Sequence, residues 1–196
     1  MHIRCAVLAR LLFLAFAIMV VDANASVVQT AFDTSAMKRQ LEEIANRDQG
    51  PRRSGDASQT LINDSLDLVQ ICAIIDKFGW LGKSVVGQNG NRTLWLVLQH
   101  ADRDPAIQKK YLPLLARSVA DSQSYPMDLA YLQDRILKND GQKQVYGSQA
   151  WVNPTSNLLE IWPIEDIVHV NSRRSSVGLM AIEDYAKMLD AVYPPS

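Results

Sequence analysis

The sequence predicts a mainly α, single-domain helical bundle of about five helices with one β-hairpin in its C-terminal half. Three observations predict it. Apolar residues recur at helical spacing through most of residues 35–139, and strand-like alternation is confined to residues 144–162. The composition, 47% hydrophobic and 21% charged over 196 residues, supplies enough apolar side chain for one packed core. With 20 Lys+Arg against 21 Asp+Glu the formal charge is −1, without the basic excess of a nucleic-acid binder. No nucleic-acid partner is expected.

The start, Met1 to Arg10, is short and basic, and Leu11–Val21 is an unbroken apolar run that ends near Ala23-Asn24-Ala25. This is the pattern of a secretory signal peptide over residues 1–25, with cleavage expected before Ser26. The run is about half of the roughly 20 residues a spanning helix needs, so no stable membrane span is expected after cleavage. Residues 26–196 form the expected globular domain, exported to the periplasm or beyond. Cys72 is the one cysteine left in it, which excludes an internal disulfide. The apolar neighbours Leu68 to Ile75 make a buried, inert thiol the expectation there.

Ser35 to Arg47 joins helix formers to a sparse apolar stripe, Met37, Leu41, Ile44 and Ala45, and predicts an amphipathic helix that Gly50-Pro51 breaks. From Ala57 to Phe78, Leu61, Ile62, Leu68, Val69, Cys72 and Ile75 lie at helical spacing. They predict a central buried helix stopped at Gly79. Residues 79–90 hold four glycines and predict a loop. Leu94–Leu98 is apolar at every position, and Thr93–Ala101 is long enough to read as two turns of helix. Asp104-Pro105 then sets a capping carboxylate ahead of a proline, and Ile107, Tyr111, Leu114, Leu115 and Val119 share one face of the helix that follows. The next helix begins at Pro126, turns Leu129, Leu132 and Ile136 inward and ends at Asn139-Asp140-Gly141. Gln144–Val152 and Leu158–Trp162 flank the five residues Asn153–Asn157, a hairpin pattern. A helix from Ile182 to Val192 closes the chain, after a polar stretch, Asn171–Ser176, that can form a short helix of its own.

Signature motifs are absent. There is no HExxH, no CxxC pair, no acidic calcium loop, no phosphate-cradling glycine loop and no GxSxG. No metal site and no cofactor are expected. What remains is Gln99-His100-Ala101-Asp102-Arg103-Asp104, an imidazole at the mouth of an apolar segment with carboxylates close in sequence. A histidine so placed suits proton transfer near neutral pH. Its plainer reading is a backbone-bonded side chain beside two helix-capping aspartates. Asp134 and Arg135 flank a helix face opposite Leu129 and Ile136, where a solvated position is the default. Strand alternation puts Gln144 and Tyr146 on one face.

Taken together, Asp48-Gln49 with Arg52, Gly79-Trp80, Gln99-His100-Ala101-Asp102, Asp134-Arg135, Gln144-x-Tyr146-Gly147-x-Gln149 and Arg174 before Gly178-Leu179 resemble a bacterial family, domain of unknown function 6624. The likeness runs from about Leu41 to Tyr185. It implies that the residues that matter are polar, Asp48, Gln49, Arg52, Gln99, His100, Asp102, Asp134, Arg135, Gln144, Tyr146, Gln149 and Arg174, and it implies no reaction. Asn63-Asp64-Ser65-Leu66-Asp67 departs from the family pattern of an Asp and an Asn one helical turn apart, so no role for Asp64 is implied.

Two functional readings follow. In the first, His100 is a base or orienting group, Asp102 or Asp134 fixes its tautomer, and Arg135 or Arg174 holds a carboxylate or phosphate. Gln99, Gln144, Tyr146 and Gln149 line the same pocket with hydrogen-bonding groups. A cofactor-independent hydrolase or transferase acting on a small molecule is what such a set supports. In the second, the protein is a non-catalytic binding module that engages a protein or cell-envelope component through the hairpin and its Trp151/Trp162 pair. A third possibility makes the motif an internal polar network that only specifies the fold.

Overall fold

Asp33 caps the first helix with its carboxylate, which accepts from the backbone N–H groups of Ser35 and Ala36. In the computed structural model, which describes residues 32–193, that helix is α1 (Thr34–Ser54). The signal peptide expected over residues 1–25 lies outside the described residues. There follow α2 (Ala57–Phe78), α3 (Lys83–Gln99), α4 (Pro105–Ala120), α5 (Pro126–Asn139), β1 (Ala150–Val152), β2 (Leu159–Ile161), α6 (Val170–Ser176) and α7 (Ile182–Leu189). The class is as the periodicity predicts, mainly helical with one small antiparallel hairpin. The described residues contain seven helices rather than about five.

Helix α1 does not stop at Gly50-Pro51. It runs through the proline and ends at Gly55, whose φ of 75° turns the chain out of the helix. Pro51 has no N–H to give to the carbonyl four residues back, that of Arg47, and a proline inside a helix costs about 3 kcal/mol when nothing compensates. Here the freed Arg47 carbonyl accepts from the side-chain amide of Asn63 on α2, at 2.8 Å. A buried tertiary contact thus takes the place of the missing rung.

Helix α2 corrects a second expectation. Leu61, Ile62 and Val69 point outward, while Asn63 and Asp67 are buried. The first half of α2 turns a polar stripe toward α1, and only from Ile71 onward is its inward face apolar. Cys72 is half-buried, and burial raises its thiol above the ordinary range.

The glycine-rich stretch is loop only over residues 79–82; from Lys83 onward it is helix. Helix α3 starts at Lys83 and is interrupted once, at Gly87, whose φ of 75° and ψ of 175° end one turn and let a second helical segment begin. Gly90 serves contact instead. A Cβ there would lie 2.9 Å from Val86 Cβ and 3.2 Å from Leu41 Cδ1, so the missing side chain is what lets α3 approach α1. Glycine density signalled a break and a close crossing, and both occur within a helix.

Among the described residues, apolar packing is divided among three clusters. Leu41, Ile44, Ile71, Ile75, Leu94 and Leu98 join α1, α2 and α3. Trp95, Leu115, Leu132 and Ile136 join α3, α4 and α5. Ile161, Ile164, Val170, Ile182 and Tyr185 hold the hairpin, α6 and α7 together. The hairpin strands are three residues each, paired Ala150 to Ile161 and Val152 to Leu159, shorter than predicted. Gln144 lies outside them in an isolated bridge to Ile164, so strand alternation says nothing about Gln144 or Tyr146.

Candidate functional site

The buried polar stripe of α2 meets the C-terminal half of α1 and the end of α3. His100, the residue that caps α3, sets its Nδ1 3.0 Å from Oδ1 of Asp48, a carboxylate with no exposed surface. Gln49 donates to the other Asp48 oxygen at 2.5 Å, and Arg52 lies 3.1 Å from Oδ1 and also donates to the Asp48 backbone carbonyl. Arg52 reaches across to Asp64 on α2 at 2.6 Å. One turn along α2, Asp67 accepts from Arg47 Nε at 2.5 Å, while its second oxygen is buried without a partner.

The electrostatics of Asp48 decide the tautomer of His100. Burial pushes the Asp48 carboxyl up, but the hydrogen bond and charge of His100, the Gln49 amide and the Arg52 guanidinium together hold it below the usual carboxylate value. An ionised Asp48 can only accept, so a neutral His100 facing it would carry its proton on Nδ1 and keep the lone pair of Nε2. The imidazole retains about a fifth of its surface to solvent. Asp67 shifts the other way, raised mainly by burial and secondarily by Asp48 and Asp64, against the lowering pull of Arg47.

The expectation that Asp102 or Asp134 orients the imidazole is therefore corrected, since Asp48 does so. Asp102 is half-exposed and pairs instead with Arg135 at 2.7 Å and with Asn139 at 3.3 Å. Asp104 stands at the N-cap of α4 without making a side-chain cap bond. Asp134, expected on a solvated face, is fully buried. Its two oxygens accept from the backbone N–H groups of Val145, Tyr146 and Ser148 at 2.8 to 3.1 Å. A buried carboxylate needs such donors because its desolvation costs several kcal/mol otherwise. Desolvation nonetheless dominates and raises its carboxyl above the usual range.

Arg174, Gln144, Tyr146 and Gln149 belong to this second network, while Gln99 and Arg135 do not. Arg174, buried on α6, donates through Nε to the Met180 carbonyl at 2.6 Å and through Nη1 to the carbonyls of Tyr146 and Gly147 at 2.7 and 3.2 Å, with its plane over the Tyr185 ring. Gln144 bonds the backbone of Gln149 and Trp162, and Gln149, also buried, reaches Ser148. Tyr146 enters through its backbone. Gln99 ends α3, and its carbonyl accepts from Gln108. Among the described residues, no hydrogen bond or ion pair joins His100 to Asp134, Arg135, Tyr146 or Arg174. The motif thus divides into a part-exposed cluster on α1–α3 and a buried clamp that fastens the C-terminal segment to α5. Gly79-Trp80 belongs to neither: Trp80 Nε1 donates to Ser124, within a buried network that also includes Asn91 and Ser118.

Asp48, Asp64 and His100 also present one ligand atom each within 4.8 Å of one another, enough for a small cation. Arg52 already spans both carboxylates there, so a metal would have to displace its guanidinium. No metal-ligand spacing betrays this grouping, because its members come from three helices.

A family model described as "Family of unknown function (DUF6624)" matches residues 25–195. No curated protein and no solved structure matches the chain.

Proposed function

The chain belongs to this family, DUF6624, and for it we propose an exported protein whose His100–Asp48 dyad performs proton transfer on a small molecule, as in a cofactor-independent hydrolase or transferase. One observation carries the reading: a fully buried, ionised carboxylate holds Nδ1 of a part-exposed histidine and leaves Nε2 to act as base. When Nε2 takes a proton from a water or hydroxyl, Asp48 supplies the counter-charge beside the imidazolium. Arg52 and Gln49 keep Asp48 ionised and in place. Two supports bear on export: the leader pattern at the start, and a family match that begins at residue 25, next to the expected cleavage point. No helix of the described residues is long and apolar enough to cross a membrane.

The test has two stages. Long-range ¹H–¹⁵N spectra of the imidazoles should show His100 as the Nδ1–H tautomer, and Asp48→Asn should abolish that preference. A screen of p-nitrophenyl esters and phosphates should then find a substrate whose turnover falls about 10²-fold or more in His100→Ala, the usual contribution of a general base. An Nε2–H tautomer in the wild-type protein would refute the reading directly.

A second reading, a binding module, has its own support at the hairpin. Trp151 and Trp162 pack edge to face at 5.2 Å, and Val152 and Leu158 beside them are more than half exposed. Charged substitutions at Val152 and Leu158 that abolish capture of an envelope component, with His100→Ala neutral, would favour it.

A further inference from the structure

The first half of helix α2 is built inside out. Its two carboxylates, Asp64 and Asp67, turn toward α1, where Arg52 and Arg47 hold them. Its outward side carries Leu61, Ile62, Leu66 and Val69, which are 45, 56, 53 and 70% exposed. At about 100° per residue, Ile62, Leu66, Val69 and the exposed Ala73 form one straight stripe, with Leu61 and Ser65 along its edge. No charged residue lies on this side between Ser58 and Ala73. A helix that meets water on one side keeps its polar residues there, so α2 has the pattern of a helix covered on both sides. The four aliphatic side chains leave roughly 400 Å² of apolar surface in water, the scale at which a patch on a soluble chain marks an interaction site.

The charges around the stripe select its occupant. A helix that lies on a lipid surface flanks its apolar face with Lys and Arg, whereas α2 carries Lys77 alone against Asp64, Asp67 and Asp76, with Asp56 as its N-cap. A second copy of α2, run antiparallel about a two-fold axis that passes between positions 67 and 68, fits on three counts. Leu66 meets Val69 of the partner subunit at the centre, and at either end Ile62 meets the partner's Ala73, so that bulk faces space. The acidic start of one α2 lies beside the partner's Lys77, and the two helix dipoles oppose each other. With Ser58, Ser65 and Gln70 covered as well, the area buried on both copies approaches the roughly 1,200 Å² at which specific interfaces begin. Such a contact is self-complementary, as a closed two-fold dimer requires.

We infer that the protein forms a symmetric dimer by antiparallel packing of α2 against α2 of a second copy, with Leu66 and Val69 at the centre. The interface uses neither His100 nor Asp48, so it stands whether or not the proposed reaction does.

The test is sedimentation equilibrium of the full chain, expressed with its leader and purified from the periplasm. Loading concentrations of roughly 1–200 µM should show a reversible monomer–dimer transition, since association follows mass action. Val69→Lys should weaken association about 100-fold or more, because it sets like charges against each other across the interface. The side chain at 69 is so exposed that the melting temperature of the dilute monomer should not change. Direction is read by cross-linking in a Cys72→Ala background. An oxidised mixture of Ile62→Cys and Ala73→Cys proteins should give the mixed disulfide, and neither variant should link to itself, since like positions lie about 16 Å apart along the axis. A chain that stays monomeric at every concentration would overturn the proposal, whether it floats with phosphatidylglycerol vesicles or not. So would a dimer that Val69→Lys leaves intact, because another surface would then hold it. Self-linked Ile62→Cys would overturn the antiparallel arrangement and with it the charge argument.

Discussion

Replacing Asn63 with Ala removes a hydrogen bond that no other group can make. The Arg47 carbonyl has lost its helical donor to Pro51 and keeps only the Asn63 amide, at 2.8 Å. Asn63 is 5% exposed, so water cannot readily take over the bond. Leaving a buried carbonyl unpaired costs about 1–3 kcal/mol. Loss of the Gln59 contact to the Asn63 oxygen, at the exposed side of α2, adds little. For a domain of this size about 1 kcal/mol lowers the melting temperature by about 2–4 °C, so Asn63→Ala should melt about 2–12 °C lower. The structural reason can be isolated by pairing it with Pro51→Ala, which restores an N–H to the carbonyl without changing the helical course. In that background the cost of Asn63→Ala should shrink by about 1 kcal/mol, as measured by urea unfolding of the four proteins in a double-mutant cycle. Additive effects would mean that the amide and the proline do not share the Arg47 carbonyl, and the account of α1 would be wrong.

Other outcomes follow from the same geometry. Asp134→Ala should destabilise by about 3 kcal/mol or more, because three N–H groups, that of Ser148 buried and those of Val145 and Tyr146 part-buried, lose their acceptor at once; a melting temperature within a degree or two of wild type would contradict the clamp. Arg135→Gln should shift unfolding free energy by less than about 1 kcal/mol, since Asp102, its partner, is half-exposed. Asp128 is pushed up to about 6, chiefly by burial and against the pull of Arg92, so the folded state binds its proton more tightly than the unfolded chain. Its contribution is most favourable below about pH 4 and declines as pH rises to about 6. Asp128→Asn should therefore gain on the wild type between those limits in denaturation series run from pH 4 to 8, and a flat difference would refute the assignment. Asp48 has the opposite sign: its lowered carboxyl contributes stability above the ordinary Asp value, lost as pH falls through the folded one, and Asp48→Asn should lose most at neutral pH.

The helical elements were legible where a helix buries an apolar stripe. Helices α4 and α5 begin at the predicted prolines, and α5 packs Leu132 and Ile136 as expected. The errors arose where tertiary contacts outweigh local rules. Pro51 ends a helix in isolation but not beside Asn63. The first half of α2 escapes an apolar-periodicity argument because its inward face is polar. Gln59, Asn63 and Asp67 recur every fourth residue, a stripe as regular as the apolar one, and it was the available signal for the site. His100 was identifiable from its carboxylate neighbours in sequence, yet its actual partner lies 52 residues away. Asp64 breaks the family pattern, and nothing local in the sequence shows that Arg52 spans it and Asp48. The clamp residues were recognised as a set, but polarity alone does not distinguish a ligand contact from a buried bond to backbone, as Arg174 illustrates.

The division of the apolar packing into separate clusters has a consequence for how the molecule comes into being. Synthesis proceeds from the N-terminus, and both members of the dyad are translated before Ala101. The last third, fastened afterwards by one aspartate and one arginine, contributes no side chain to that pair. Inherited changes at the fastening itself should alter how long the protein survives, and leave the imidazole and its carboxylate in place.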